Sequence, residues 1–183
     1  MDWLGPLSLT LLIVVAVFAL MAVGWRNRLR RQAAVPAPPA VPADPGRELY
    51  RTEGQYVATT TAGDWLDRIA VHGLGVRSEA VVTVHPEGVL LARRGAPDVY
   101  VPRSDLTGVR LESGMTGKFV EKNGLIVLSW RLNGEGVDTG FRTRHATDKT
   151  QLLAAVAALT PGSPRPTDPT NDSPIDPEGR NPQ

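Results

Sequence analysis

The chain has 183 residues, with 20 Lys+Arg against 19 Asp+Glu and no cysteine. A formal net charge of +1, without a basic stripe, argues against electrostatic nucleic-acid binding. The lack of cysteine excludes disulfides, thiolate nucleophiles and cysteine-held metals together.

The first element in chain order is Leu7 to Trp25, nineteen residues without a charge. As a helix it measures about 28 Å, close to a hydrocarbon core of roughly 30 Å. The residues before it, Met1-Asp2-Trp3-Leu4-Gly5-Pro6, carry an acid and no Lys or Arg. Bulky Met21, Trp25 and arginines stand where a small-residue cleavage site would lie, so the segment reads as an uncleaved anchor rather than a signal peptide. Arg26, Arg28, Arg30 and Arg31 follow it and no basic residue precedes it. The positive-inside rule then predicts residues 1–6 outside, residues 7–25 in the cell membrane and everything from Arg26 on in the cytoplasm. Trp3 and Trp25 bracket the span as interfacial aromatics do. The arginines read as a topology signal, with headgroup contact worth about 1 kcal/mol each at an anionic surface.

Residues 26–46 form a linker, basic and then proline-rich, with five prolines between 33 and 46. Such a stretch favours extended polyproline II, at about 3.1 Å per residue a spacer of up to roughly 40 Å. Residues 161–183 hold seven prolines and one large aliphatic side chain, Ile175, and are expected to be disordered. The 114 residues between, 47–160, suffice for one compact core. With 14 Lys+Arg against 13 Asp+Glu, they are nearly neutral.

This region is mostly β in pattern. Gln55–Thr61 is a β-prone run, and Glu79–His85 alternates, with Ala80, Val82 and Val84 on one face. Pro86-Glu87-Gly88 turns the chain into Val89–Ala92, predicting a hairpin. Asp98–Pro102, Gly108–Glu112 and Gly124–Leu132 continue the series; in the last, Ile126, Leu128, Trp130 and Leu132 share a face. The turn Asn133-Gly134-Glu135-Gly136 then leads into Val137–Thr143, and its Asn-Gly pair is a strong hairpin signal. The period changes at Asp148–Leu159, where Leu152, Val156 and Leu159 recur at helical spacing, with Thr147 as N-cap and Pro161 as stop. Asp64–Ala70 could add a helical turn. Seven short antiparallel strands and a C-terminal helix are the order of a pleckstrin-homology-like (PH-like) domain, a partly open barrel whose apolar mouth the helix covers.

The segments D-R-I-A-V-H-G-L-G at 67–75, P-E-G-V-L-L at 86–91 and W-R-L-N-G-E-G-V-D-T-G-F-R at 130–142 resemble those of actinobacterial membrane-anchored PH-like proteins. The resemblance covers about residues 1–160 and implies one N-terminal span, a proline-rich spacer and a small cytoplasmic PH-like domain. Such proteins are often encoded beside pyrimidine-biosynthesis enzymes, and some carry a transporter or export label.

Signals for chemistry are few. His72, His85 and His145 share no metal-binding spacing, and Gly73-x-Gly75 lacks the rest of a phosphate loop. Asp64 and Asp67 fit helix-start chemistry as well as acid–base work, and no nucleophile motif surrounds Ser78, Ser104, Ser113 or Ser129. No catalytic residue, cofactor or metal is expected. Phosphoinositide sites in PH domains draw several Lys/Arg from the loop after the first strand. Here Thr61–Gly75 offers only Arg68 against two aspartates, which disfavours such binding. Arg142 and Arg144, with Arg131, could form a small basic ridge and are the surface-binding candidates. A single span without an ionisable residue cannot be a carrier by itself. The reading is therefore a membrane-anchored, non-catalytic binding or scaffolding module with a protein partner and no nucleic acid. The alternative is an accessory subunit of a transport or export complex.

Overall fold

A computed structural model describes residues 4–115, 118–119 and 124–160. Trp3 and the tail 161–183 lie outside the described residues, as does the expectation of disorder placed on that tail. The N-terminal helix α1 spans Leu4–Arg31, and Leu7–Arg30 is long and apolar enough to cross a membrane. Pro6 falls in the first turn, where its missing N–H costs no helical bond. None of the apolar window is buried against the rest of the protein, and Leu20 is 72% exposed.

The strands are β1 (Tyr50–Thr61), β2 (Ser78–His85), β3 (Gly88–Arg93), β4 (Val99–Pro102) and β5 (Leu106–Glu112). A two-stranded hairpin, β6 (Gly114–Met115) with β7 (Lys118–Phe119), interrupts the series before β8 (Leu125–Leu132) and β9 (Glu135–Thr143). Seven of them form one antiparallel sheet in the order β4-β3-β2-β1-β9-β8-β5. The seven-stranded expectation holds, while the small hairpin is new, its strands being too short to show a hydrophobic period. A C-terminal helix α2 (Ala146–Ala157) packs against β1, β5 and β9.

β1 begins five residues before the predicted run because its first half is held by a partner distant in sequence. Tyr50–Tyr56 pair with β2, while Gly54–Thr61 pair with β9, and a bulge between Tyr56 and Ala58 turns the strand from one to the other. Gly54 sits at this crossing, where a Cβ would come within 2.6 Å of Phe141 Cζ and closer still to the Arg142 carbonyl oxygen. The two predicted hairpins are present. Pro86-Glu87 joins β2 to β3, and Asn133 (φ 52°) with Gly134 (φ 92°) makes the left-handed two-residue turn between β8 and β9.

The core contains Tyr56, Leu74, Leu91, Leu128, Trp130 and Phe141, closed at the mouth by Leu152, Val156 and Leu159. Ala80, Val82 and Val84 are buried as the alternation requires. On β8 both faces are covered: Ile126, Leu128, Trp130 and Leu132 enter the main core, whereas Leu125 and Val127 meet Met115 in a second cluster on the outer face.

Two local expectations are corrected. α2 starts two residues early, with His145 in extended conformation as N-cap and without a side-chain cap bond, so Thr147 is not the cap. Asp148 is instead tied to β1, accepting from Thr52 Oγ1 at 2.9 Å while its carbonyl accepts from Tyr50 Oη at 3.4 Å. Asp64–Ala70 is not a helical turn. The Asp64 carboxylate accepts from the amides of Leu66 and Asp67, an Asx turn, and Thr60 bridges to Arg68.

The proline-rich linker lies along the domain instead of holding it away. Val35 packs on the main core, and its carbonyl accepts from His72 Nε2 at 2.7 Å. Further on, His85 Nδ1 donates to the carbonyls of Gly46 and Arg47, and the Leu49 amide donates to Val84 O at 2.8 Å. Two histidines of the domain thus bind backbone carbonyls of Val35, Gly46 and Arg47.

Candidate functional site

Four polar assemblies stand out, and only one was legible as a motif. The first is buried. Arg93 on β3 places its guanidinium carbon 3.8 Å from the centroid of the Tyr56 ring on β1. Its nitrogens donate to Ser78 Oγ (3.0 Å) and to the carbonyls of Pro97 (3.2 Å), Gly73 (3.0 Å) and Val76 (2.5 Å). Burial lowers the Arg93 pKa, partly offset by Tyr56 and Asp98. A cation held by carbonyls and a ring fixes the loops 62–77 and 94–98 to the sheet.

Tyr56 also starts a chain of buried polar groups. Its Oη lies 2.7 Å from Thr59 Oγ1 and donates to Leu74 O at 2.8 Å; Thr59 Oγ1 lies 2.8 Å from Thr139 Oγ1, which accepts from Trp130 Nε1 at 2.9 Å. Burial pushes the Tyr56 phenol up to about 12. This chain satisfies the indole and phenol inside an apolar core and contains no nucleophile with a base.

The third lies on the outer face, where Arg110 (β5) and Asp138 (β9) meet across β8. Arg110 Nη1 and Nη2 bind both Asp138 oxygens, at 3.1 and 2.9 Å, and Ser129 Oγ from the strand between donates to Asp138 at 2.7 Å. Burial alone would raise the Asp138 pKa, but the bonds from Arg110 and Ser129 outweigh it and hold the carboxyl below its usual range. The bonds to Asp138, with that to Glu112, raise the pKa of Arg110. The pair separates two shallow clefts; one of about 440 Å³ is lined by Thr60, Trp65, Met115 and Val127.

The fourth contains two of the predicted candidates. Arg142 and Arg144 line a groove of about 830 Å³ on the outer face of β9, β1 and β2, together with Arg94 and Lys149. Glu53 and Glu79 line it too: Arg144 pairs with Glu53 at 2.9 Å and Arg94 with Glu79 at 3.2 Å. Arg131 does not join them. Antiparallel pairing sets it opposite Gly136, six residues along β9 from Arg142 and so about 20 Å away. The three arginines are not one ridge.

The membrane-facing candidates divide similarly. Trp25 is 58% exposed near the end of α1. Arg28 has turned to the domain, donating to Arg68 O at 2.9 Å and standing 4.0 Å from Asp67. Arg26 and Arg30 lie on the same helical end, and Arg31 closes it. Among the described residues no three His, Asp or Glu side chains come close enough to hold a metal ion. Nothing in the sequence pattern could have found Arg93 or the Arg110–Asp138 pair, since their partners are brought by strand pairing.

A bent seven-stranded antiparallel sheet closed by a C-terminal helix, with its polar clefts on the outside, defines a PH-like domain. The chain belongs to the bacterial PH domain-like family, whose model matches residues 35–157. That match begins at Val35, the linker residue packed on the core. PH-like domains are generally non-catalytic binding or scaffolding modules. Among solved structures, the chain is similar to one in the 8S snRNP assembly intermediate, with 11% identity, TM-score 0.44, and 69% of this chain and 93% of that one covered. It is also similar to the C-terminal domain of an unknown protein from Leishmania infantum, with 8% identity, TM-score 0.39, and 74% and 97% covered. A third similarity is to Vav1 bound to an allosteric inhibitor, with 15% identity, TM-score 0.39, and 73% and 33% covered. No curated protein matches the chain.

Proposed function

We propose that this protein is a single-pass membrane protein that presents a non-catalytic PH-like binding or scaffolding module to a protein partner at the cytoplasmic face of the cell membrane, with its N-terminus outside. The observation that carries this reading is α1: an apolar stretch from Leu7 to Arg30 with no part buried, whose basic end is hydrogen-bonded to the PH-like domain. A helix apolar all round and unpartnered needs lipid around it. The four arginines that follow the span support this orientation. The mixed-charge groove at Arg142, Arg144, Glu53 and Glu79 is the surface best suited to a polar protein contact, since both signs are displayed on a rigid sheet.

The test is in cells. Single cysteines placed at Asp2 and Thr147 of the full chain are probed with an impermeant maleimide, and membranes are extracted with carbonate. Retention in the membrane with labelling only at position 2 is expected. Release by carbonate, or labelling at position 147 in intact cells, overturns the reading. Proximity labelling from the C-terminus then identifies the partner, and reversing the charges of Arg142 and Arg144 is expected to weaken its capture.

A further inference from the structure

The loop between β1 and β2, residues 62–77, is where the PH-like domain meets α1. Gln32 Nε2 donates to Arg68 O at 3.1 Å, and Gln32 Oε1 accepts from the Ala70 amide at 2.6 Å. Arg28 donates to the same Arg68 carbonyl at 2.9 Å. Arg28 is three residues beyond Trp25, about 4.5 Å of helix, so the loop backbone is held within the first turns after the apolar span ends.

The same loop carries unusual exposed apolar surface. Outside α1, the exposed large hydrophobic side chains among the described residues are Val41, Trp65 (45%), Leu66 (60%) and Val76 (52%). Three of these four belong to the loop clamped to the helix. On a water-facing loop such clustering is unfavourable, whereas an interfacial layer suits an indole and an isobutyl group next to backbone and charge. Of the nearby acids, Asp67 accepts from Thr61 Oγ1 at 2.8 Å and faces Arg28, and Asp64 is occupied in its Asx turn.

We infer that Trp65 and Leu66 enter the interfacial layer of the bilayer that α1 crosses, giving the domain a second, apolar hold on the membrane. The inference rests on the membrane reading of α1. One hold alone leaves a tethered domain free to tumble; two holds, with the Gln32 clamp between them, fix its orientation and leave the Arg142–Arg144 groove at a set angle to the membrane. The contact is apolar rather than a headgroup pocket, because the basic side chains nearby are engaged internally: Arg68 Nη1 donates to Gly75 O at 3.2 Å and Arg77 donates to Gln55.

The absence of cysteine allows a direct test on the full chain in lipid nanodiscs. Leu66→Cys, Glu87→Cys and Val15→Cys each carry one environment-sensitive fluorophore. Glu87 lies in the turn at the opposite end of β2, about 27 Å along the strand from the loop. The label at position 66 is expected to shift to the blue, lose emission to headgroup-level nitroxide lipid and resist aqueous iodide. The label at 87 should do the reverse, and that at 15 should be quenched only by deep nitroxide. A label at 66 open to iodide, with 15 still deep, overturns the inference and leaves the anchor standing. A label at 66 shielded from iodide yet untouched by nitroxide indicates a protein contact and also overturns it. Loss of deep quenching at 15 overturns both readings.

Discussion

The guanidinium of Arg93 lies over the ring of Tyr56, its central carbon 3.8 Å from the ring centroid, while its nitrogens hold three loop carbonyls and Ser78. A planar guanidinium can lie against a ring and still donate from its edge. Lysine keeps the charge but loses the fork and the stack. Arg93→Lys should therefore destabilise the protein by about 2–4 kcal/mol, the loss of several bonds to a charged group in part replaced. Thermal unfolding followed by near-UV dichroism checks this; a cost equal to a surface substitution would deny Arg93 its role as the tie between loops.

Burial makes Tyr56 a group whose pKa in the folded protein, about 12, exceeds its ordinary value near 10, with the bond to Thr59 opposing the shift in part. A raised pKa contributes stability that is fully present below pH 10 and is lost as pH rises through 12. Unfolding free energy should fall across that window, and Tyr56→Phe should remove that part of the slope. Denaturant titrations between pH 9 and 12 would show it.

Thr139 receives the indole N–H and faces Thr59, so it cannot be replaced by an apolar isostere without leaving partners unsatisfied. Thr139→Val should cost about 1–3 kcal/mol, the usual penalty for a stranded buried donor. Trp130→Ala should cost more, about 3–5 kcal/mol, because a cavity is added. A Thr139→Val protein as stable as the parent would mean that water replaces the hydroxyl.

At the outer face the sign is opposite. The Asp138 carboxyl is held below its ordinary pKa by Arg110 and Ser129, so its contribution is present above pH 4 and is lost as pH falls through the depressed value. Arg110 is 43% exposed on its side chain, and solvent screening keeps the effect modest. Asp138→Asn should flatten the acid limb of stability below pH 4 while lowering stability at pH 7. An unchanged acid limb would place the titration elsewhere.

The Gln32 clamp is local and should be visible as such. Gln32→Ala removes the acceptor of the Ala70 amide, which should exchange with solvent faster by about tenfold if the bond is worth roughly 1.4 kcal/mol. Amides in β2 and β8 should be unaffected. Hydrogen exchange in detergent or nanodiscs separates this from a global loss of stability, which would speed all of them.

The amino-acid sequence by itself determined the features that depend on neighbours along the chain. Nineteen uncharged residues make a helix fit for a membrane, alternation in Glu79–His85 and Gly124–Leu132 marks strands, and Asn133-Gly134 makes a left-handed turn, each from local sterics and burial. Even the order of seven strands and a helix was legible. The early start of β1 was not, since β2 supplies its partners, and neither was the separation of Arg131 from Arg142 and Arg144, which depends on register. Tertiary structure alone placed Arg93 on Tyr56, Arg110 on Asp138, and Gln32 on the loop that carries Trp65. Hydrogen bonds and ion pairs act over about 3 Å, and only the pairing of strands and the docking of the end of α1 on the domain bring residues 28 to 40 positions apart within that reach.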